Sequence, residues 1–194
     1  RSSRAMPAPD PFASLDELKT RARTALSEAH WRYLAAGTAP GEAGDENSRA
    51  WRRLKLAPGI LRAVKQTDRS ISLFSDTLNT PILFAPTGRA THFHRDGEAA
   101  ILAAATTRGA AALLPSSAMH GLPPLRAGFP DAVIWQQIYL CADRDFMAAR
   151  LQVMREARVS AVVVTADLVP GGSSAHAAVP APPRAKWEPD APPA

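Results

Sequence analysis

The sequence predicts an α/β fold, a parallel sheet of four strands joined by helices and preceded by short helices. Three observations predict it. Four short apolar runs, at 82–85, 111–114, 133–139 and 161–164, recur at about 25-residue intervals with helical segments between them. The runs are predominantly apolar rather than alternating, as in strands covered on both faces. Each run also ends in polar or special residues: Pro86-Thr87-Gly88, then Ser116, then Gln137 with Tyr139, then Thr165 with Asp167. Ligands of parallel α/β sheets bind at the C-terminal ends of the strands, so these four ends mark a candidate site.

The elements follow in order. Residues 1–13 are rich in Pro, Ser and Ala and read as a disordered N-terminus. Residues 14–80 hold helices and a strand leading into the sheet. Ser14 and Glu17 form a capping box, followed by Leu15, Leu18, Ala22, Ala25 and Leu26 at helical spacing. A second helix is predicted from Ser27 through Trp31 and Tyr33 to Gly37, where glycine can end it. Residues 38–48 read as loop. Residues 70–80 alternate weakly, through Ile71 and Leu73, as a short strand or hairpin does. Residues 81–168 form the sheet-and-helix segment. The run 82–85 is its first strand. Residues 97–108 are helical, with Gly109 as C-cap. A weaker helical segment, broken by Pro123 and Pro124, follows the second strand. Asp143 or Asp145 caps a helix running to Arg158. Residues 169–194 read as a Pro/Ala-rich tail, with seven prolines between 170 and 194 and no readable fifth strand.

Composition narrows the class. The chain has 194 residues, 46% of them apolar, enough for one hydrophobic core. An eight-stranded barrel usually needs about 250 residues. The net charge is +5, with 23 Lys and Arg against 18 Asp and Glu. The basic residues are spread along the chain and no base-reading motif accompanies them, so no nucleic-acid partner is expected. No apolar run reaches the ~18 residues of a membrane span. Cys141 is the only cysteine, so no intrachain disulfide is possible and a cytoplasmic location is expected. Arg1 in place of a methionine points to an incomplete N-terminus. His92 and His94 lie two apart but read as loop residues rather than metal ligands, and His120 and His176 have no partner in sequence.

Several of these pieces, in this order, resemble the FMN-dependent 2-hydroxy-acid oxidases and dehydrogenases, which include glycolate oxidase, lactate oxidase and lactate monooxygenase. The anchors are Tyr33-Leu34-Ala35-Ala36-Gly37, Glu46-Asn47 before Trp51, Pro81 to Thr87, Asp96-Gly97-Glu98, Ser116, Gln137-Ile138-Tyr139 and Thr165-Ala166-Asp167. The resemblance spans residues 15–167. It implies the N-terminal half of a (β/α)8 TIM barrel, FMN as cofactor, and oxidation of a small 2-hydroxy acid to the 2-oxo acid. It implies that Pro86, Thr87 and Gly88 pass under the flavin, with Gly88 replacing the usual alanine. Ser116, Gln137 and Thr165 then hydrogen-bond the ring edge, Tyr33 and Tyr139 contact the substrate, and Asp167 orients a catalytic histidine.

Other features of the family are absent from this sequence. The family places that histidine, one substrate arginine, a lysine facing flavin N1 and the phosphate grip in the second half of the barrel. After the aspartate the family usually continues with Thr-Pro and then another arginine. Here the run is Leu168-Val169-Pro170-Gly171-Gly172-Ser173-Ser174. A serine cannot replace a bidentate guanidinium, so this carboxylate clamp is expected to be lost. The half-barrel would leave open strand edges and exposed apolar faces, which predicts a complementary C-terminal half or self-association. A non-catalytic half-barrel used as an interaction module is the alternative to an enzyme.

Overall fold

The protein is described by a computed structural model covering residues 14–36, 42–63 and 65–166. These residues divide into two units, one running through Leu54 and the other beginning at Lys55.

The first unit holds three helices. Helix α1 (Leu15–Ala25) opens as its capping box predicts: Ser14 is extended and its Oγ accepts the Glu17 N–H at 3.1 Å. Helix α2 (Glu28–Ala36) carries Tyr33, and the Gly37 expected to end it lies outside the described residues. Helix α3 (Glu42–Arg53) corrects the loop read at 38–48. Gly, Asp, Asn and Ser made that stretch look like a loop. The helix is supported by charge: Glu46 pairs with Arg49 at 3.9 Å and with Arg53 at 2.7 Å. Arg52 and Arg53 also place positive charge at the negative end of the helix dipole.

The second unit begins with a hairpin, β1 (Ile71–Leu73) antiparallel to β2 (Asp76–Leu78). A three-stranded parallel sheet follows, in the order β3 (Ala111–Leu114), β4 (Val133–Ile138), β5 (Ala161–Val164). The predicted first strand at 82–85 narrows to a single parallel bridge between Phe84 and Ala112. Phe84 donates to Ala111 O at 3.0 Å and accepts from Leu113 N–H at 2.9 Å. Pro81 and Pro86 flank it, and each lacks the N–H that a longer ladder needs.

The helices between these strands are α4 (Gly97–Arg108), α5 (Leu122–Gly128) and α6 (Arg144–Glu156). The prolines expected to break the segment at 122–128 instead begin it. They occupy the first turn of α5, where the backbone N–H groups have no helical partner to lose. Asp143 caps α6, its Oδ1 accepting the Phe146 N–H at 2.9 Å. Replacing Asp143 with Ala should cost about 1 kcal/mol in urea unfolding, whereas Asp145→Ala, one position inside the helix, should cost much less.

Side-chain alternation sorts the sheet into two faces. Ala112, Leu114, Ile134 and Ile138 join Leu102 and Ala105 of α4, Leu122 and Leu125 of α5, and Met154 of α6 in one core cluster. Ala111 and Trp135 join Leu78 of the hairpin, with Leu113, Val133, Ala161 and Val163 packed around them. All three helices therefore cover one face and the hairpin covers the other. Consecutive parallel strands with every helix on one side are the arrangement of a barrel wall, whereas a doubly wound sheet has helices on both faces. Trp135 Nε1 donates to Asp76 at 2.8 Å and ties the hairpin to β4. Gly109, the C-cap of α4 at φ 61°, accepts the Asn79 N–H at 2.8 Å. A Cβ there would stand 2.3 Å from the Asn79 amide, so the contact requires glycine.

The outer side of β5 differs from those of β3 and β4. Val162 and Val164 are 43% and 46% exposed, and no helix covers them among the described residues. Among the described residues β5 pairs on one side only, so the open sheet edge and exposed apolar face expected from sequence both fall on this strand.

Candidate functional site

The C-terminal ends of β3, β4 and β5 lie side by side because the ladder is parallel and in register, with Leu114 opposite Gln136 and Ile138 opposite Val164. Three predicted site residues meet there. Ser116 N–H donates to Gln137 Oε1 at 2.9 Å, and Ser116 Oγ donates to the Gln137 carbonyl at 2.9 Å. Gln137 Nε2 donates to Thr165 Oγ1 at 2.8 Å. Ser116 and Gln137 are buried and Thr165 is half-buried. Residues 21 and 28 positions apart in sequence thus form one polar relay across three strand ends.

Gln137 shares its side of β4 with Val133 and Trp135, away from the helices. Its neighbour Gln136 points the other way, and its Nε2 donates to Leu114 O at 3.0 Å and to Gln137 O at 3.1 Å. Two adjacent glutamines in one strand thus have different surroundings. Gln136 is held among backbone carbonyls, whereas the Gln137 amide links the loops that follow the flanking strands.

Beyond the Phe84 bridge the chain turns tightly at Pro86, with Thr87 N–H donating to Ala85 O at 2.8 Å, and Gly88 follows. This turn abuts the loop after β3: a Cβ on Gly88 would lie 2.7 Å from Ser117 Oγ. The next residue, Arg89, adopts a left-handed backbone at φ 60°. Tyr139 follows β4 directly and is 44% exposed. Tyr33 is half-buried on α2, in the other unit. Asp167 and Ser174 lie outside the described residues.

The donor inventory fits a planar heterocycle with alternating donors and acceptors. An amide nitrogen has two hydrogens and a hydroxyl has one. Gln137 commits one N–H to Thr165, and Thr165 accepts through oxygen. The relay therefore leaves one Gln137 N–H and the Thr165 hydroxyl hydrogen for a bound group, and the serine and threonine oxygens keep lone pairs. A flavin ring edge, with N5, O4, N3 and O2, takes such a set.

One pair was not legible as a partnership in sequence. Glu98, in the first turn of α4, is fully buried, and its carboxylate lies 2.8 Å from His120 Nδ1. The Met119 and His120 N–H groups also donate to it, at 3.3 and 3.4 Å. No spacing rule links residues 22 apart, and the only signal was a glutamate inside an alanine-rich, otherwise apolar helix start.

Comparison with known proteins bears on the fold and the family. The sequence profile of the FMN-dependent dehydrogenases matches residues 22–188. The 2-hydroxyacid oxidase 2 of Rattus norvegicus is 27% identical over 157 residues, covering 81% of this chain and 44% of that protein. The L-lactate dehydrogenase of Bartonella quintana is 32% identical over 161 residues, covering 82% of this chain and 42% of that protein. A crystal structure of mandelate oxidase superposes with a TM-score of 0.76 at 25% identity, over 81% of this chain and 45% of that one. The lactate oxidase of Pediococcus acidilactici gives 0.76 at 22% identity, which speaks for the fold alone. The chain spans less than half the length of these relatives. Its fold is part of a (β/α)8 barrel, and the matching family is FMN-dependent.

Proposed function

The chain belongs to the FMN-dependent dehydrogenase family, and from that premise we propose that it carries the flavin ring-edge side of a site that oxidises a small 2-hydroxy acid to the 2-oxo acid. The observation that carries this reading is the Ser116–Gln137–Thr165 relay at the barrel's ligand-binding end. FMN, when bound, would supply the two-electron acceptor for the bond broken at substrate C2.

The chain's own residues would bind and orient. Ser116, Gln137 and Thr165 would hold the ring edge with the donors counted above. The backbone of Pro86, Thr87 and Gly88 would lie beneath the ring. Tyr139 would donate its hydroxyl to the substrate at the flavin face, and Tyr33 would donate to the substrate carboxylate. Asp167 would accept a hydrogen bond from the imidazole of a general base, holding its other nitrogen toward the substrate hydroxyl. By the family pattern that base, the facing lysine and the phosphate grip belong to sequence other than these 194 residues. The 194-residue chain is therefore expected to show no turnover when incubated with FMN and L-lactate or glycolate in a dye-reduction assay. Clear turnover by the purified chain would contradict this division of roles.

A second reading, a non-catalytic interaction module, is favoured by β5. Its open edge and its exposed Val162 and Val164 offer hydrogen bonds and apolar area to another chain. Self-association or capture of a complementary C-terminal half-barrel would satisfy both. Light scattering should show association of the isolated chain, and Val162→Lys with Val164→Lys should weaken it. A monodisperse monomer with a cooperative melt would count against association. Among the described residues no helix is long and apolar enough to cross a membrane. A cytoplasmic location is proposed, which cell fractionation would test.

A further inference from the structure

Glu98 is the one fully buried carboxylate among the described residues. Burying a carboxylate is costly unless donors surround it. Here the donors come from two sources. The positive end of α4 faces Glu98 from its own helix. The others are the Met119 and His120 N–H groups and His120 Nδ1, all from the loop between β3 and α5. The His120 ring nitrogen and the carboxylate share one hydrogen bond in this pair.

Ser116 is the second residue of the same loop. The loop is thus held at two points: Ser116 is bonded to Gln137 on β4, and residues 119 and 120 are bonded to Glu98 on α4. The backbone around Glu98 is adapted to this second hold. Gly97 lies at φ 39°, and a Cβ there would stand 2.6 Å from Thr91 Cγ2, 3.1 Å from Thr91 N and 3.4 Å from His120 Cε1. A bare backbone at 97 lets the first turn of α4 come close to the imidazole.

We propose that Glu98, acting through His120, is a positioning residue for Ser116, and so for the whole ring-edge relay. The link to flavin rests on the function proposed above; the mechanical link from Glu98 to Ser116 does not. Only three residues separate Ser116 from His120, so freeing one end increases the freedom of the other.

Residue-resolved amide hydrogen exchange on the 194-residue chain tests the link without any flavin. In His120→Ala, the Ser116 amide should exchange about tenfold faster relative to the Met154 amide of α6, which reports the general stability of the unit. Glu98→Gln, a smaller change, should act in the same direction and carries the test if His120→Ala does not fold. His120→Asn, whose side-chain N–H stands near the position of Nδ1, should restore protection to within about threefold. FMN titrations of the same variants should show affinity falling and returning in step. Faster exchange at Met119 and His120 with Ser116 unchanged relative to Met154 would overturn the proposal. Absence of FMN binding by the parent chain would instead remove the flavin reading and leave the exchange result standing.

Discussion

Gln137→Leu should weaken flavin binding by this chain and destabilise it at the same time. The substitution keeps the bulk but removes both the acceptor of Ser116 N–H and the donor to Thr165. Each buried group left without a partner costs about 1–3 kcal/mol, so a loss of about 2–4 kcal/mol in urea unfolding is expected. Flavin affinity should fall at least about tenfold, equivalent to about 1.4 kcal/mol. Gln136→Leu is the informative control, one residue away on the opposite side of β4. It also removes two buried hydrogen bonds, to the Leu114 and Gln137 carbonyls, and should lower stability. It should leave the perturbation of the flavin absorption bands as it is in the parent chain. Equal effects of the two substitutions on flavin, after correction for stability, would mean that the relay has no special part in binding.

The second large effect is expected at the other end of the strands. Arg126, on α5, donates from Nε to Ala157 O at 2.8 Å and from Nη1 to Pro130 O and Ala132 O at 2.9 Å each. It also reaches the Phe129 and Arg158 carbonyls. These carbonyls lie in the segments entering β4 and β5, so one guanidinium joins α5, the end of α6 and two strand starts. Burial, and then the neighbouring Arg158 charge, push the pKa of Arg126 down, with Asp131 opposing them. The group is still a cation at neutral pH. Arg126→Ala should cost about 2–4 kcal/mol, a fall in the melting midpoint of about 10 °C or more. Arg126→Lys should recover only part of this, because a single ammonium cannot span the same fork of carbonyls. Flavin binding by whatever fraction remains folded should be unchanged, since the N-terminal ends of barrel strands serve stability rather than ligands.

Much of this fold was legible because local chemistry and tertiary packing agree along most of the chain. The runs Ala111–Leu114 and Ala161–Val164 are strands with the predicted bounds, and Ser14 and Asp143 cap the helices they precede. The departures have physical causes. Helix α3 forms despite its poor propensities, with modest support from the exposed ion pairs of Glu46. The pair Pro123-Pro124 breaks a helix in its interior but is tolerated at its start. The first strand is reduced to one bridge because prolines bound it on both sides. The strand-end residues Ser116, Gln137 and Thr165 were legible as candidates, since polar groups after apolar runs need partners. That they bond to one another required the parallel register. The Glu98–His120 pair was not legible, because nothing local joins α4 to the loop after β3.

This chain is proposed to hold the flavin by its ring edge, the phosphate grip belonging elsewhere. Parallel titrations with FMN and riboflavin test it most directly, following the flavin absorption bands and fluorescence. The expected result is that both ligands perturb the ring bands of flavin and bind with affinities within about threefold of each other, since a contact that FMN alone could make would add about 1 kcal/mol or more. The absence of any ring-band change with either ligand, in a chain that melts cooperatively, would contradict it.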